Sequence, residues 1–377
     1  MNVPKIRYDN FTKEWEKVKL SSQASFLQGL TYTPNDVSND GTIVLRSSNI
    51  QNSMVDYNDI VRVNIIIPEK LKIKENDILM CVRNGSKSLV GKTAWLSKNE
   101  EKCTWGAFMN IIRPKEKNKF VYYYLNSKYF YNHVWKDLGT ATVNQITKQT
   151  LESCYLNIPS IEEQEKISNT LSLLDQKIKL QSKKIEDLKL FTKKLETQYI
   201  FNSNNKYNQK RIDEIFNVKA GGDLNKSNIS FIKTPLFCYP IYSNNLEMDG
   251  LYGYSDIYKI EDESITVTGR GDIGKAIKRE GKYYPIVRLL VLIPKISVDL
   301  IYMQEAINNL KLIQESTGVP QLTAPQISKY KVSYPTLDIQ NKYGNILLLL
   351  QKKIRYEIRK KEKLQQLKKG LMQNMFV

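Results

Sequence analysis

The amino-acid sequence is written twice, and this repetition restricts the chain to folds with two equivalent halves. Val143-Asn144-Gln145-Ile146-Thr147 is matched 176 positions later by Val319-Pro320-Gln321-Leu322-Thr323. At the same offset Leu151 falls on Ile327, Pro159 on Pro335, Ile161 on Leu337 and Gln164 on Gln340. No gap is needed as far as Ile200, which falls beside Phe376. A weaker match opens each half at an offset of 192, placing Trp15 on Tyr207, Leu20 on Ile212 and Gly29 on Gly221. The globular part of the first copy is therefore 16 residues longer than that of the second.

Each copy begins with short β-like runs bounded by turn residues. In the first they are Thr42 to Leu45, Ile60 to Ile67, Asp77 to Val82 and Ala107 to Ile112; in the second, Pro235 to Tyr242, Ser264 to Thr268 and Tyr284 to Ile293. A long stretch with few helix breakers follows each set. Stepping alternately by four and three from Ile167 visits Leu171, Leu174, Ile178, Gln181, Ile185, Leu188, Thr192, Leu195 and Tyr199, and eight of these ten positions are apolar. The same walk from Tyr343 visits Leu347, Leu350, Ile354, Glu357, Lys361, Leu364, Lys368, Leu371 and Met375, with seven of ten apolar. Narrow heptad seams of equal length predict two helices packed on each other, and the bland alternative is a helix that only covers its own head.

The expected fold is therefore α+β: two similar mixed α/β heads separated by two long antiparallel coiled-coil helices, with a pseudo-twofold internal repeat. The boundaries expected are 1–159 and 204–335 for the heads, and 160–203 and 336–377 for the helices. A helix of about 40 residues is roughly 60 Å long. A rod of that length can hold two heads well apart.

Charge narrows the partner. Lysine and arginine outnumber acids 57 to 39, a formal net charge of +18, which favours a polyanion through counterion release. Charge alone does not separate DNA from RNA or from an anionic membrane. No stretch approaches the roughly 20 apolar residues of a membrane span, and Met1 to Asn10 lacks a signal-peptide core. Cys81, Cys103, Cys154 and Cys238 never form a C-x-x-C pair and read as buried thiols of a cytoplasmic protein.

The run from Gly139 through Asn144-Gln145-Ile146-Thr147 to Pro159, Glu163-Gln164 and Ile167 resembles the end of a target-recognition domain and the start of its spacer helix. The family is the specificity subunit of Type I restriction-modification systems. Thr317-Gly318-Val319-Pro320-Gln321-Leu322-Thr323 through Pro335 and Gln340 repeats that run, and with the Trp15 to Leu20 opening the resemblance covers nearly the whole chain. It implies that each head reads one half of a bipartite site in double-stranded DNA and that the helices fix the gap. It also implies docking of two methyltransferase (modification) subunits, joined by restriction subunits. This chain would hold no catalytic site, and S-adenosylmethionine, ATP and Mg²⁺ would belong to the partners. The second copy departs from the pattern in having Ile339 where the first has Glu163, and Gly344 inside its helix, changes expected to loosen the start of that helix.

Thr268-Gly269-Arg270-Gly271-Asp272-Ile273-Gly274-Lys275 imitates a phosphate-binding loop. A nucleotide loop needs Ser or Thr after the lysine and a helix beyond, whereas Ala276 stands there and the next residues read as strand. The first copy has Arg83-Asn84-Gly85-Ser86, then Gly91-Lys92-Thr93, with different glycine spacing. Loops presenting Arg83, Asn84 and Lys92, or Arg270 and Lys275, to DNA account for both copies, with plain hairpin turns as the alternative. Arg46, Ser47 and Asn49 in the first head, and Tyr242, Asn244 and Asn245 in the second, are further candidates for base edges or phosphates, or else ordinary polar turns. Gln145 and Gln321, equivalent in the repeat, either touch the DNA backbone or cap a helical segment.

Catalytic constellations are scarce. The single histidine, His133, makes a multi-histidine metal cluster impossible and a Ser-His-Asp triad improbable. No Asn-Pro-Pro-Tyr or Asp-Pro-Pro-Tyr segment of an amino-methyltransferase occurs. Glu261-Asp262-Glu263 reads as a solvated acidic turn. The rival readings are a metal-dependent DNA nuclease with scattered carboxylates, and a basic coiled-coil scaffold without sequence preference.

Overall fold

The computed structural model describes residues 3–138, 144–199, 207–310, 312 and 321–377. Gly139, Val143, Ile200 and Thr317 to Pro320, which carry part of the repeat, lie outside the described residues. The chain divides into two compact units, one of Met1–Gln181 with Lys360–Val377 and one of Ser182–Arg359.

In the first unit the strands Ala24–Gln28, Met109–Pro114, Ile78–Cys81 and Thr93–Trp95 form an antiparallel sheet in that order. The second unit repeats it with Phe216–Ala220, Leu290–Pro294, Ser264–Val267 and Ala276–Arg279. Ile78-Leu79-Met80-Cys81 has no exposed residue because this strand has core on both faces. Its counterpart buries Ser264 and Thr266, which survive there by hydrogen bonding to the Tyr283 hydroxyl and the Arg279 Nε. A second sheet in each head contains one parallel pair, Thr42–Leu45 with Cys103–Trp105 and Tyr239–Tyr242 with Tyr284–Pro285.

The two offsets of the repeat meet in a third, two-stranded sheet. Glu16–Lys19 pairs with Tyr155–Ile158, and Asn208–Arg211 with Lys331–Tyr334. The first strand of each pair is displaced by 192 residues and its partner by 176. Gly29 and Gly221 are equivalent in space as well as in sequence. A Cβ on either would run into main chain that crosses beside it, at Gly106 and at Pro285 respectively.

Several strand expectations are corrected. Ile60 to Ile67 yields only Val61–Val63, and Ile66 is fully solvent-facing. Pro235 to Tyr242 yields Tyr239–Tyr242, and Ala107 to Ile112 starts two residues late because Met109 N closes a turn on Gly106 O. Tyr284 to Ile293 is broken in the middle by Val287 and Arg288, both with left-handed backbone (φ 50° and 59°).

The long helices are Ile161–Tyr199 and Leu337–Asn374. Every described seam position in both is buried or half-buried, while neighbours such as Leu173, Leu180, Leu349 and Tyr356 face solvent. Within each unit the two helical segments run antiparallel. In the first, Ile167 and Leu171 share a core with Met375 and Phe376, and Asp175 pairs with Lys368 at 2.6 Å. In the second, the buried seam residue Glu357 is neutralised by Lys184 at 2.7 Å and Lys353 at 3.1 Å, which explains an acid on an apolar seam.

The helices are seated on their heads in the same way. Gln164 Nε2 donates to Pro159 O (3.0 Å), and its Oε1 accepts from Asn118 Nδ2 (3.2 Å), whose own Oδ1 accepts from the N–H of Phe120 at the start of the head helix Phe120–Leu125. Gln340 Nε2 donates to Pro335 O (2.9 Å), and its Oε1 accepts from the N–H of Asp299, which caps Leu300–Asn308. The expectation that Gly344 loosens the second helix is corrected. The helix is continuous through it, and Gly344 is buried against Asp299, whose carboxyl carbon would lie 2.6 Å from an added Cβ. Helix propensity alone favours Ala over Gly by about 1 kcal/mol. Overpacking against a capping carboxylate costs about 1–3 kcal/mol and also disturbs the cap. Gly344→Ala is therefore expected to lower the melting temperature. An increase would show that Asp299 moves aside freely.

Candidate nucleic-acid interface

In each head an arginine sits just past the inner strand Ile78–Cys81 or Ser264–Val267, beside the segment that carries the repeat's glutamine. In the first, Ile146 N donates to Val82 O (2.8 Å), Arg83 bridges Gln145, and Asn84 N donates to Asn144 O (3.3 Å). In the second, Leu322 N donates to Gly269 O (2.9 Å) and Arg270 Nη2 donates to Gln321 Oε1 (3.3 Å). These contacts make Arg83 and Arg270 equivalent, as are Gln145 and Gln321.

The loop after the parallel strand closes on the same spot. Asn84 Nδ2 donates to Ser47 Oγ (3.0 Å) in the first head. In the second, Asn244 Oδ1 accepts from Gly269 N (2.8 Å) while its Nδ2 donates to Val287 O (2.7 Å). Each head thus gathers, at one end of its sheets, an arginine, a glutamine and a short polar side chain. Arg83 and Gln145 are exposed, and Asn84, Ser47, Asn244, Arg270 and Gln321 are half-buried. Such a set of donors and acceptors on fixed backbone suits base edges and phosphates.

Other expected residues are placed differently. Asn49 is completely buried; its Oδ1 accepts from Arg46 N and its Nδ2 donates to Asp56 O and Asp59 O. It shapes the loop and has no free group for a duplex, which corrects its expected role. Arg46 pairs with Asp59 at 2.8 Å and has a buried Nε without a hydrogen-bond partner. The Tyr242 ring is committed inward, beneath the Arg279 guanidinium at 3.7 Å and edge-on to Tyr283. Burial lowers the Arg279 pKa and pushes that of Tyr283 up to about 12. Asn245 holds its own turn, accepting from Glu247 N. Lys92 is half-buried and Lys275 exposed, each immediately before the strand that returns from its arginine loop, Thr93–Trp95 or Ala276–Arg279, so no nucleotide-binding helix follows Lys275.

Two side chains of this face carried no signal in a reading of isolated motifs. Phe108 is exposed beneath the Arg83 guanidinium (5.1 Å), and Arg288 Nη1 donates to Gln321 Oε1 (3.3 Å). They lie in a part of the repeat that neither offset spans.

Burial pushes the Cys81 thiol, just before the arginine loop, up to about 11, away from nucleophilic use. Cys81, Cys103 and Cys154 are buried thiols, whereas Cys238 is only half-buried. No group of three His, Cys, Asp or Glu side chains that could hold a metal ion occurs among the described residues. Glu261 and Glu263 are exposed and pair with Lys282 and Lys278. No helix among the described residues is long and apolar enough to cross a membrane.

Two copies of one α+β head, each followed by a long seam-bearing helix, define the class: a duplicated, two-headed chain. The family follows from comparison. The model of the Type I restriction modification DNA specificity domain matches residues 12–190 and again 204–368, and the chain belongs to that family. It is 31% identical over 214 residues to a chain of Mycoplasma pneumoniae assigned as a type I specificity subunit, covering 54% of this chain and 57% of that one. It is 29% identical over 167 residues to the Type I restriction enzyme EcoKI specificity subunit of Escherichia coli, covering 42% of this chain and 36% of that one. The matched segments thus span about half of the first relative and about a third of the second. The crystal structure of the Type-I restriction-modification S subunit from M. genitalium shares the fold over 100% of this chain and 99% of its own, with TM-score 0.70 and 18% identity.

Asn49→Ala should remove three internal hydrogen bonds and lower the stability of the first unit by about 2–4 kcal/mol. Arg83→Ala should leave melting within about 0.5 kcal/mol of the parent, as expected for an exposed side chain. Equal melting of the two variants would contradict the division between loop-shaping and surface roles.

Proposed function

We propose that this chain is the DNA-specificity subunit of a Type I restriction-modification complex, reading a bipartite site with one half-site per head. The observation that carries the proposal is the matched pair of loops, Arg83 with Gln145 and Arg270 with Gln321, on equivalent frames. A DNA-specificity family with two copies in one chain supports two reading heads. An excess of 18 positive charges supports a phosphate partner.

On this proposal the long helices set the gap between half-sites, and they and the flanking faces dock two methyltransferase subunits, with restriction subunits completing the nuclease in the cytoplasm. The chain itself is non-catalytic: it binds, orients and selects. S-adenosylmethionine, ATP and Mg²⁺ serve in the partner subunits.

The test is selection from a randomised duplex pool by the full chain assembled with its methyltransferase partner. A split motif is expected, and one heptad inserted in the first long helix should change the gap, or abolish selection, while leaving both half-sites unchanged. Altered half-sites with an unchanged gap would contradict the spacer role. Mg²⁺-dependent cutting by the isolated chain would support the nuclease instead, and capture of random sequence would support a scaffold.

A further inference from the structure

The strand registers extend the equivalence of the heads across their middle. Asn110 pairs with Gln28 and Leu290 pairs with Ala220, and Gln28 falls on Ala220 at the offset of 192. The bridges Leu30 to Gly106 and Gly222 to Ile286 fit the same alignment. Phe108 therefore corresponds to Arg288. Both occupy the third position of a turn closed by hydrogen bonds, Met109 N to Gly106 O and Leu289 N to Ile286 O. The turns differ in hand. Val287 and Arg288 are left-handed, whereas Ala107 and Phe108 are not among the residues with positive φ. A β-branched residue in that region is an outlier of the kind found at functional sites.

Within an otherwise matched frame, this position exchanges an exposed aromatic ring for an exposed guanidinium. In the first head Phe108 underlies Arg83. In the second, Arg288 and Arg270 both donate to one oxygen, Gln321 Oε1, each at 3.3 Å. Two cations converge on a single neutral acceptor, and among the described residues the buried Nε of Arg270 has no hydrogen-bond partner. Among the described residues this pair of forks has no acceptor-rich counterpart. In the major groove the edge that supplies two adjacent acceptors is guanine O6 and N7.

Resting on the DNA-reading proposal above, we propose that Arg288 is a specificity-determining residue of the second head. It reads a guanine, with Gln321 orienting the guanidinium. Phe108 gives the first head an apolar contact at the equivalent place, so the two heads prefer different bases there.

The experiment is duplex selection by the full chain assembled with its methyltransferase partner, followed by titration with 7-deazaguanine, which lacks N7, at single positions. Failure of the parent protein to select any motif would overturn this inference together with the DNA-reading proposal. With a motif in hand, Arg288→Ala is expected to lose about 5- to 150-fold of guanine preference at one position of one half-site. The other half-site should stay intact, which reports that the protein is folded. The parent should lose affinity for the 7-deazaguanine duplex, whereas the variant should not. Arg288→Gln should move the preference at that position toward adenine. Uniform weakening across all sequences with a shallower salt dependence would identify a phosphate contact and overturn the inference, as would an unchanged motif in both variants.

Discussion

Two buried glutamines, one at the start of each long helix, hold the architecture to its heads. Gln164 and Gln340 each spend one amide proton on the proline carbonyl that precedes the helix, and offer the carbonyl oxygen to a residue at the start of a helix of the head, Asn118 or Asp299. A buried amide left half-satisfied costs more than the bond it makes, so the contact is effectively all or none. It ties three elements together: the last strand of the head, the long helix and the head helix. In the first unit this joint works beside the contacts of Arg7 and Trp15 with Glu163 and of Tyr123 with Asp175, which also bind the head to the long helix. The environment of Gly344 is part of it, since the carboxylate of Asp299 needs the space that a side chain would fill.

The repeat was legible because it is carried by residues whose job is the same in both copies. Leu20 and Ile212 are fully buried, Gly29 and Gly221 face crossing backbone, and Gln164 and Gln340 make one joint. The heptad seams were equally legible, since burial along both helices follows the four-three step, with Glu357 tolerated because two lysines neutralise it. Strand ends were harder. Apolar runs such as Ile60 to Ile67 and Tyr284 to Ile293 carry enough hydrophobicity for strands, but tertiary turns interrupt them, and one break sits on a valine that has no local preference for it.

The candidate face was legible in part. Gln145 and Gln321 stand out by their position in the repeat, and Arg83 and Arg270 by the glycine-bearing loops that carry them; the structure sets each pair in equivalent places. Asn49 and Tyr242 stood out only as polar or aromatic residues in turns, and their side chains point into the loop and the core respectively. Composition cannot separate a polar group that reads DNA from one that satisfies a buried carbonyl. The informative difference between the heads lies where motif and periodicity are both silent, at Phe108 and Arg288, and only the strand registers expose it.

The measurement that bears most directly on the central claim is a genome-wide map of methylated adenines, in cells with and without this gene, with the methyltransferase partner expressed. Loss of one split motif on deletion is the predicted result, and the lost motif would supply both half-sites. An unchanged map, with the partner demonstrably present, would contradict a specificity role and return the chain to the scaffold or nuclease readings.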